Sequence, residues 1–282
     1  MQAYPKGSIV SLKSRFLMRR RGRTADGSVH EASDPLLTAV RSELDRLERE
    51  GVPAAAPLIA GFHSMLAEQP DPIAEDRQRL IERERRRLRR SEAVLSGGRG
   101  TTSTVADVTK RASSPRTQAT LLYHLTRSFH ASRVLEMGTG VGISGAYLAA
   151  ALADNGGGQL CSLEGHRDRA ETAGAIWKRL GLENAAVVVG RFEHTLEQAL
   201  SGEPFDIAFI DGNHNGDATR SYVSRIRASS RAGALLILDD IAWSEDMATA
   251  WSVVKAELSD SLTADLGRLG VIILGQHDAG IP

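Results

Sequence analysis

Two periodicities divide the chain. From Asp34 the apolar residues recur at helical spacing. Asp34-Pro35 reads as an N-cap followed by a first-turn proline, Leu36, Leu37, Val40, Leu44 and Leu47 share one face, and Gly51 stops the run. A second helix is predicted over residues 54–68, with Leu58, Ile59, Phe62, Met65 and Leu66 inward. A third is predicted from Asp71-Pro72 through Leu80, Ile81, Leu88 and Val94 to Gly97-Gly98. The Gly/Ser/Thr segment 97–104 then reads as a linker and the best domain boundary. Residues 105–110 and 115–129 predict two more helices. Beyond them short apolar runs at 133–137, 159–164, 186–189, 206–210 and 234–238 alternate with helical stretches at 144–153, 167–180, 196–200, 218–229 and 247–258. Strands alternating with helices predict parallel βαβ units, hence an α/β fold with a doubly wound sheet. Residues 261–266 and 270–274 are too close for a crossover and predict a C-terminal antiparallel hairpin. No internal repeat is visible.

Composition changes this picture little, and charge changes it locally. The 282 residues are 41% hydrophobic and 25% charged, enough apolar material for a sizeable core. Lys+Arg and Asp+Glu are both 35, and the zero net charge argues against a generic nucleic-acid binder. No apolar run reaches the roughly 18 residues of a membrane span. The basic N-terminus has no apolar stretch after it, so no secretory signal is expected. The single cysteine, Cys161, excludes an intrachain disulfide framework and a multi-cysteine zinc site, and fits a cytoplasmic location. Residues 1–34 read as a flexible basic arm, with a substrate lid or partner-binding tail as the sharper alternative; residues 1–30 hold seven Lys/Arg and one acid. Residues 35–100 read as a helical cap or dimerisation region, and residues 101–282 as the catalytic domain. The third helix carries eight arginines between Arg77 and Arg90. Such a face is ordinarily solvated, and binding of an anionic partner is the alternative.

Candidate chemistry gathers where strands give way to helices. The first strand of the alternating region ends in Glu136-Met137-Gly138-Thr139-Gly140-Val141-Gly142-Ile143-Ser144. Glycines at such a turn let a ligand approach the backbone, and the helix start offers free N–H groups. The dinucleotide pattern G-x-G-x-x-G fails, because Ile143 stands at its last glycine. The second strand ends at Glu164, an acid placed to accept both hydroxyls of a ribose. The fourth ends in Asp211-Gly212-Asn213-His214 and the fifth in Asp239-Asp240, with Trp243 just beyond. Adjacent parallel strands would set Asp211, Asp239 and Asp240 on one rim, where three unpaired carboxylates repel one another. A hard divalent cation with oxygen ligands resolves that repulsion. Capping of the following segment by Asp239 or Asp240 is the plainer alternative.

The sequence E-x-G-x-G-x-G, with Glu164 and the terminal hairpin, resembles the class I S-adenosylmethionine (SAM)-dependent methyltransferases, over about residues 105–274. That resemblance implies a Rossmann-like seven-stranded sheet. It also implies a SAM site built from Glu136, Gly138, Thr139, Gly140, Gly142, Ser144 and Glu164, with Asp211 at its rim. After the third strand the superfamily often has an acid against the adenine. Here Gly190-Arg191-Phe192-Glu193 departs from that, leaving Arg191 or Phe192 to border the ring. The acidic edge is similar to that of metal-dependent small-molecule O-methyltransferases of the catechol, caffeoyl-CoA and macrolide-sugar types. It implies Asp211, Asp239 and Asp240 as ligands of a divalent metal, magnesium by expectation. It implies His214 as general base, in the position that holds Lys in catechol-type enzymes and His in macrolide-sugar types. Trp243 would wall the acceptor pocket.

The reaction so implied is SAM-dependent O-methylation of a small hydroxylated acceptor, sugar-like, catechol-like or another natural product, by an enzyme expected to form a homodimer. A metal-independent variant, with His214 as sole base, stays open. An RNA or DNA methyltransferase is a further alternative, disfavoured because Asp-Gly-Asn-His replaces the Asn-Pro-Pro-aromatic turn of base-amine methylation. A fold that only binds or assembles is the third.

Overall fold

The computed structural model describes residues 34–67, 71–96 and 102–275. Of the expected arm over residues 1–34, all but Asp34 lies outside them, and Asp34 is the cap of the first helix. Helix α1 (Pro35–Glu50) starts where Asp34 Oδ1 accepts the Leu36 N–H and stops at Gly51 in the left-handed conformation. Helix α2 (Ala56–Leu66) follows a short 3₁₀ turn, and α3 (Pro72–Leu88) is capped by Asp71. The third helix does not continue to residue 98. Strand β1 (Val94–Ser96) follows it and pairs antiparallel with β2 (Thr102–Thr104). The described end of the expected linker is therefore a ladder. Thr104 both ends β2 and caps α4 (Val105–Ala112) through a reciprocal pair of bonds with Asp107. Helix α5 (Arg116–Ser128) leads into the sheet.

Then come β3 (Arg133–Met137), α6 (Ile143–Asp154), β4 (Gln159–Glu164), α7 (Arg167–Arg179), β5 (Ala185–Val189), α8 (Phe192–Leu200), β6 (Ile207–Ile210), α9 (Gly216–Ala228), β7 (Leu235–Leu238), α10 (Glu245–Glu257), β8 (Leu262–Leu266) and β9 (Leu269–Ile273). Every strand and helix anticipated after residue 104 is present within a few residues, α8 starting four residues early. The seven strands run in the order β5-β4-β3-β6-β7-β9-β8. β3 to β7 are parallel, and β9 is antiparallel to both β7 and β8. This is a doubly wound α/β sheet with a terminal hairpin. β6 and β7 are buried at every position, as expected of parallel strands covered on both faces. The order reverses at β3, where β4 and β6 part to either side; the carboxyl ends there form the crevice in which such sheets bind ligands.

The N-terminal helices share a core with the sheet layer. Val40, Leu47, Leu58, Phe62 and Ile81 pack in one cluster with Leu121, Tyr147 and Leu148. Arg46 Nη2 donates to the Thr263 carbonyl at 2.9 Å, tying α1 to the edge strand β8. That cover protects an edge otherwise open to pairing. No helix among the described residues is long and apolar enough to cross a membrane.

Candidate active site

The crevice is a cavity of about 770 Å³ whose lining includes Gly138, Gly140, Glu164, Phe192, Asp211, His214, Asp240, Trp243 and Arg268. Its glycine loop is held from below. Ser144 Oγ and Ser162 Oγ both donate to the buried Glu136 carboxylate, and Thr139 Oγ1 lies 2.6 Å from Ser162 Oγ. Strand register causes this, since Glu136 sits opposite Ser162 in the β3–β4 ladder. Burial pushes the Glu136 carboxyl up to about 7, the two hydroxyl bonds opposing the shift. Trp177 Nε1 closes the loop's far side on the Gly142 carbonyl at 2.8 Å. A Cβ on Gly138 would collide with the Asp211 carbonyl, whereas one on Gly140 would project into open space. The loop therefore needs its first glycine for packing and its second to leave the crevice open.

Four of the residues expected to bind cofactor, Glu136, Thr139, Gly142 and Ser144, are not in the cavity wall; they fix the loop's shape from beneath. Gly138, Gly140, Glu164, Arg191, Phe192 and Asp211 do line it. Glu164 Oε2 accepts the Gly140 N–H at 2.8 Å and Oε1 the His166 N–H at 2.9 Å. Each oxygen retains a second lone pair for a ligand hydroxyl. Arg191 is exposed and pairs with Glu193, while Phe192 packs edge-on against Tyr222, with ring centroids 6.0 Å apart. Ser113 Oγ and Arg169 Nε are buried beside the cavity without a hydrogen-bond partner. Neither was anticipated, and unmatched buried polar atoms at a crevice are the kind a ligand satisfies. The Glu164 carboxylate and these two polar atoms fit a ligand that carries hydroxyl groups and hydrogen-bond acceptors.

On the acidic side, β6 delivers Asp211 and β7 delivers Asp239 and Asp240. His214 lies between the two acids that face the cavity. Its Nε2 is 3.8 Å from Asp211 Oδ1 and its Nδ1 is 3.6 Å from Asp240 Oδ2. Asn213, His214 and Asp240 all adopt positive φ, a strained choice for residues with side chains that recurs at functional sites. The exposed Trp243 indole stands 6.5 Å from the imidazole, tilted by 41°. Burial first, then the neighbouring Asp239, raises the carboxyls of Asp211 and Asp240 above the ordinary range, with Arg268 opposing.

Arg268, in the tight turn between β8 and β9, is the residue that sequence reasoning missed. Its Nε and Nη2 hold Asp239 Oδ1 and Oδ2 at 2.7 and 2.9 Å, and its Nε is also 3.0 Å from Asp240 Oδ1. Gln118 Nε2 donates to Asp239 Oδ2 at 3.0 Å and the Asp240 N–H to Oδ1 at 2.8 Å. Asp239 is thus fully committed. Asp211, Asp239 and Asp240 do come together, but not as a set of free oxygen ligands; a guanidinium already pairs with Asp239 and Asp240. Among the described residues no group of three or more His, Cys, Asp or Glu side chains is arranged to hold a metal ion. This donor set does not fit the magnesium centre expected from the resemblance, and no step below is routed through one. The one available signal was an arginine in a short turn beside an acidic strand end.

The chain is similar to known proteins. Residues 135–241 match a family described as a methyltransferase domain. A catechol O-methyltransferase of Mycobacterium tuberculosis is 32% identical over 161 residues, covering 57% of this chain and 67% of that protein. Among solved structures, an O-methyltransferase from Bacillus cereus in complex with SAH superposes with a TM-score of 0.51 at 21% identity, over 77% of this chain and 97% of its own. TomG from Streptomyces achromogenes, an O-methyltransferase involved in tomaymycin synthesis and solved with SAM, gives 0.51 at 21% identity, over 77% and 96%.

Proposed function

The chain belongs to the class I SAM-dependent O-methyltransferases, and from that premise we propose that it methylates a hydroxyl of a small, ring-bearing molecule with His214 as general base. The observation that carries this reading is the position of His214, in the cavity wall between Asp211 and Asp240 and beside the Trp243 indole. SAM, when bound, supplies a methyl group on a sulfonium, electrophilic toward an oxygen nucleophile. The glycine loop and Glu164 hold the nucleoside end, with Phe192 and Arg191 at the adenine. His214 takes the acceptor's hydroxyl proton on one ring nitrogen, and the acid at the other nitrogen orients the ring and stabilises the imidazolium. Trp243 covers a flat face of the acceptor and keeps water from the oxygen. Positioning accounts for much of the acceleration.

A catechol-type acceptor accords with the mycobacterial relative's substrate. The Asp-Gly-x-His and Asp-Asp pattern accords with sugar-type acceptors, and both classes present a hydroxylated ring. The magnesium-dependent form is the one the sequence resemblance implies. The pairing of Arg268 with Asp239 and Asp240 favours the form in which His214 works without metal. His214→Ala is expected to lose about 10²–10⁴-fold in kcat while binding S-adenosylhomocysteine as before. Near wild-type turnover would refute the base assignment.

A further inference from the structure

We propose that Arg268 is the resident cation of this active site, taking the charge-compensating part at the acid rim that a divalent metal takes in metal-dependent methyltransferases. The inference rests on the O-methyltransferase reading and specifies how its acceptor oxygen is accommodated. Proton transfer to His214 leaves an imidazolium and an acceptor oxyanion, and the oxyanion stands beside Asp211 and Asp240, a placement that costs free energy by like-charge repulsion. A second positive charge at the rim offsets that cost. Arg268 meets that need with three charged contacts of 2.7 to 3.0 Å to Asp239 and Asp240. The Asp239 side chain is fully buried, where breaking such a pair would leave an uncompensated carboxylate.

Arg268 is held at its backbone as well as at its guanidinium. Its backbone carbonyl accepts the Ile241 N–H at 3.1 Å, which fixes the hairpin turn against the end of β7. Nη1 makes no hydrogen bond among the described residues, and Arg268 lines the same cavity as His214. A charged N–H donor therefore remains for the acceptor oxygen. A fixed guanidinium differs from a metal in one respect that can be measured. It fills the coordination that Asp239 and Asp240 would otherwise offer, so the site should have little affinity for divalent ions.

The test is a manganese titration of the full chain with S-adenosylhomocysteine bound, read by the loss of free-ion signal in electron paramagnetic resonance. It runs beside turnover measured after exhaustive chelation. The wild type is expected to bind no stoichiometric manganese below the millimolar range and to keep its turnover without metal. Arg268→Ala is expected to gain manganese affinity by at least about tenfold as Asp239 and Asp240 lose their counter-ion, and to lose turnover. Arg268→Lys keeps the charge without the fork; it is expected to fold, to stay poor in manganese binding and to raise KM for the acceptor. One manganese bound per wild-type chain at micromolar concentration, or turnover abolished by chelation and restored by magnesium, would overturn the proposal. Either result would leave the O-methyltransferase reading standing in its metal-dependent form. Absence of methyl transfer to any hydroxyl would sink that reading, and the manganese titration would still report on Arg268.

Discussion

Glu136 lies under the glycine loop with no solvent exposure, and its carboxyl is raised to about 7 by burial. The folded protein then holds a proton that the unfolded chain releases near 4.5. A raised folded pKa contributes stability that is fully present below the unfolded value and is lost as pH climbs from about 4.5 through about 7. Glu136→Gln has no proton to lose. Its stability relative to the wild type, measured by urea unfolding of ligand-free protein, is expected to improve across that window by up to about 3 kcal/mol and to level off above it. A difference independent of pH would show that the two serine bonds hold the carboxylate ionised. The sequence pointed to Glu136 as a cofactor contact. What it could not convey is register: only the placement of Ser162 beside Glu136 turns the acid inward as a brace for the loop. Arg268 escaped for a similar reason, since its partner Asp239 lies 29 residues back in the chain and the turn that carries it has no periodicity to read.

At the scale of elements, caps and punctuation were the readable part. Asp34 and Gly51 bound α1 as their chemistry dictates, and Asp34 Oδ2 also accepts the Thr117 hydroxyl of α5 at 2.5 Å. Asp34→Ala is expected to cost about 1–2 kcal/mol from the lost cap, visible as a lower midpoint in thermal unfolding, while Asp34→Asn should restore most of it. The β1–β2 ladder was not readable. Strands of three residues show no alternation, and Leu95 alone of β1 is buried, so Val94 passed for a continuation of the preceding helix. The early start of α8 has a local cause as well. Arg191 is the N-cap without a side-chain bond, and Phe192, as the first helical residue, turns its ring toward Gly212 and Tyr222. The arginines of α3 are partly satisfied within the chain: Arg79 by Glu75 and Asp76, Arg85 by Glu82, Arg87 by Glu84, and Arg77 by Asp154 of α6. That pairing favours the solvated reading of this helix over an anion-binding one.

For the whole molecule, the alternation of strands and helices carried the sheet, because period and order survive in a single sequence. How the first helices sit on it does not survive, since an amphipathic face does not say what it packs against. The described residues from Asp34 onward form one compact unit, and Phe62 of α2 is fully buried in the core shared with α5 and α6. Calorimetry is expected to show a single unfolding transition, and Phe62→Ala to lower it by about 3–5 kcal/mol in stability without splitting it. Two separated transitions would instead make the N-terminal helices an independent domain. The zero net charge likewise conceals an arrangement: a basic third helix at one place, and at another an acid rim with its own arginine, beside the glycine loop. The most direct measurement on the whole assembly is transfer of label from methyl-labelled SAM, offered with catechol-type and sugar-type acceptors and with RNA and DNA. The proposed function predicts label on a hydroxyl oxygen of a small acceptor, with S-adenosylhomocysteine released in equal amount. Label on nucleic acid, or tight SAM binding with no hydroxyl methylated, would contradict it.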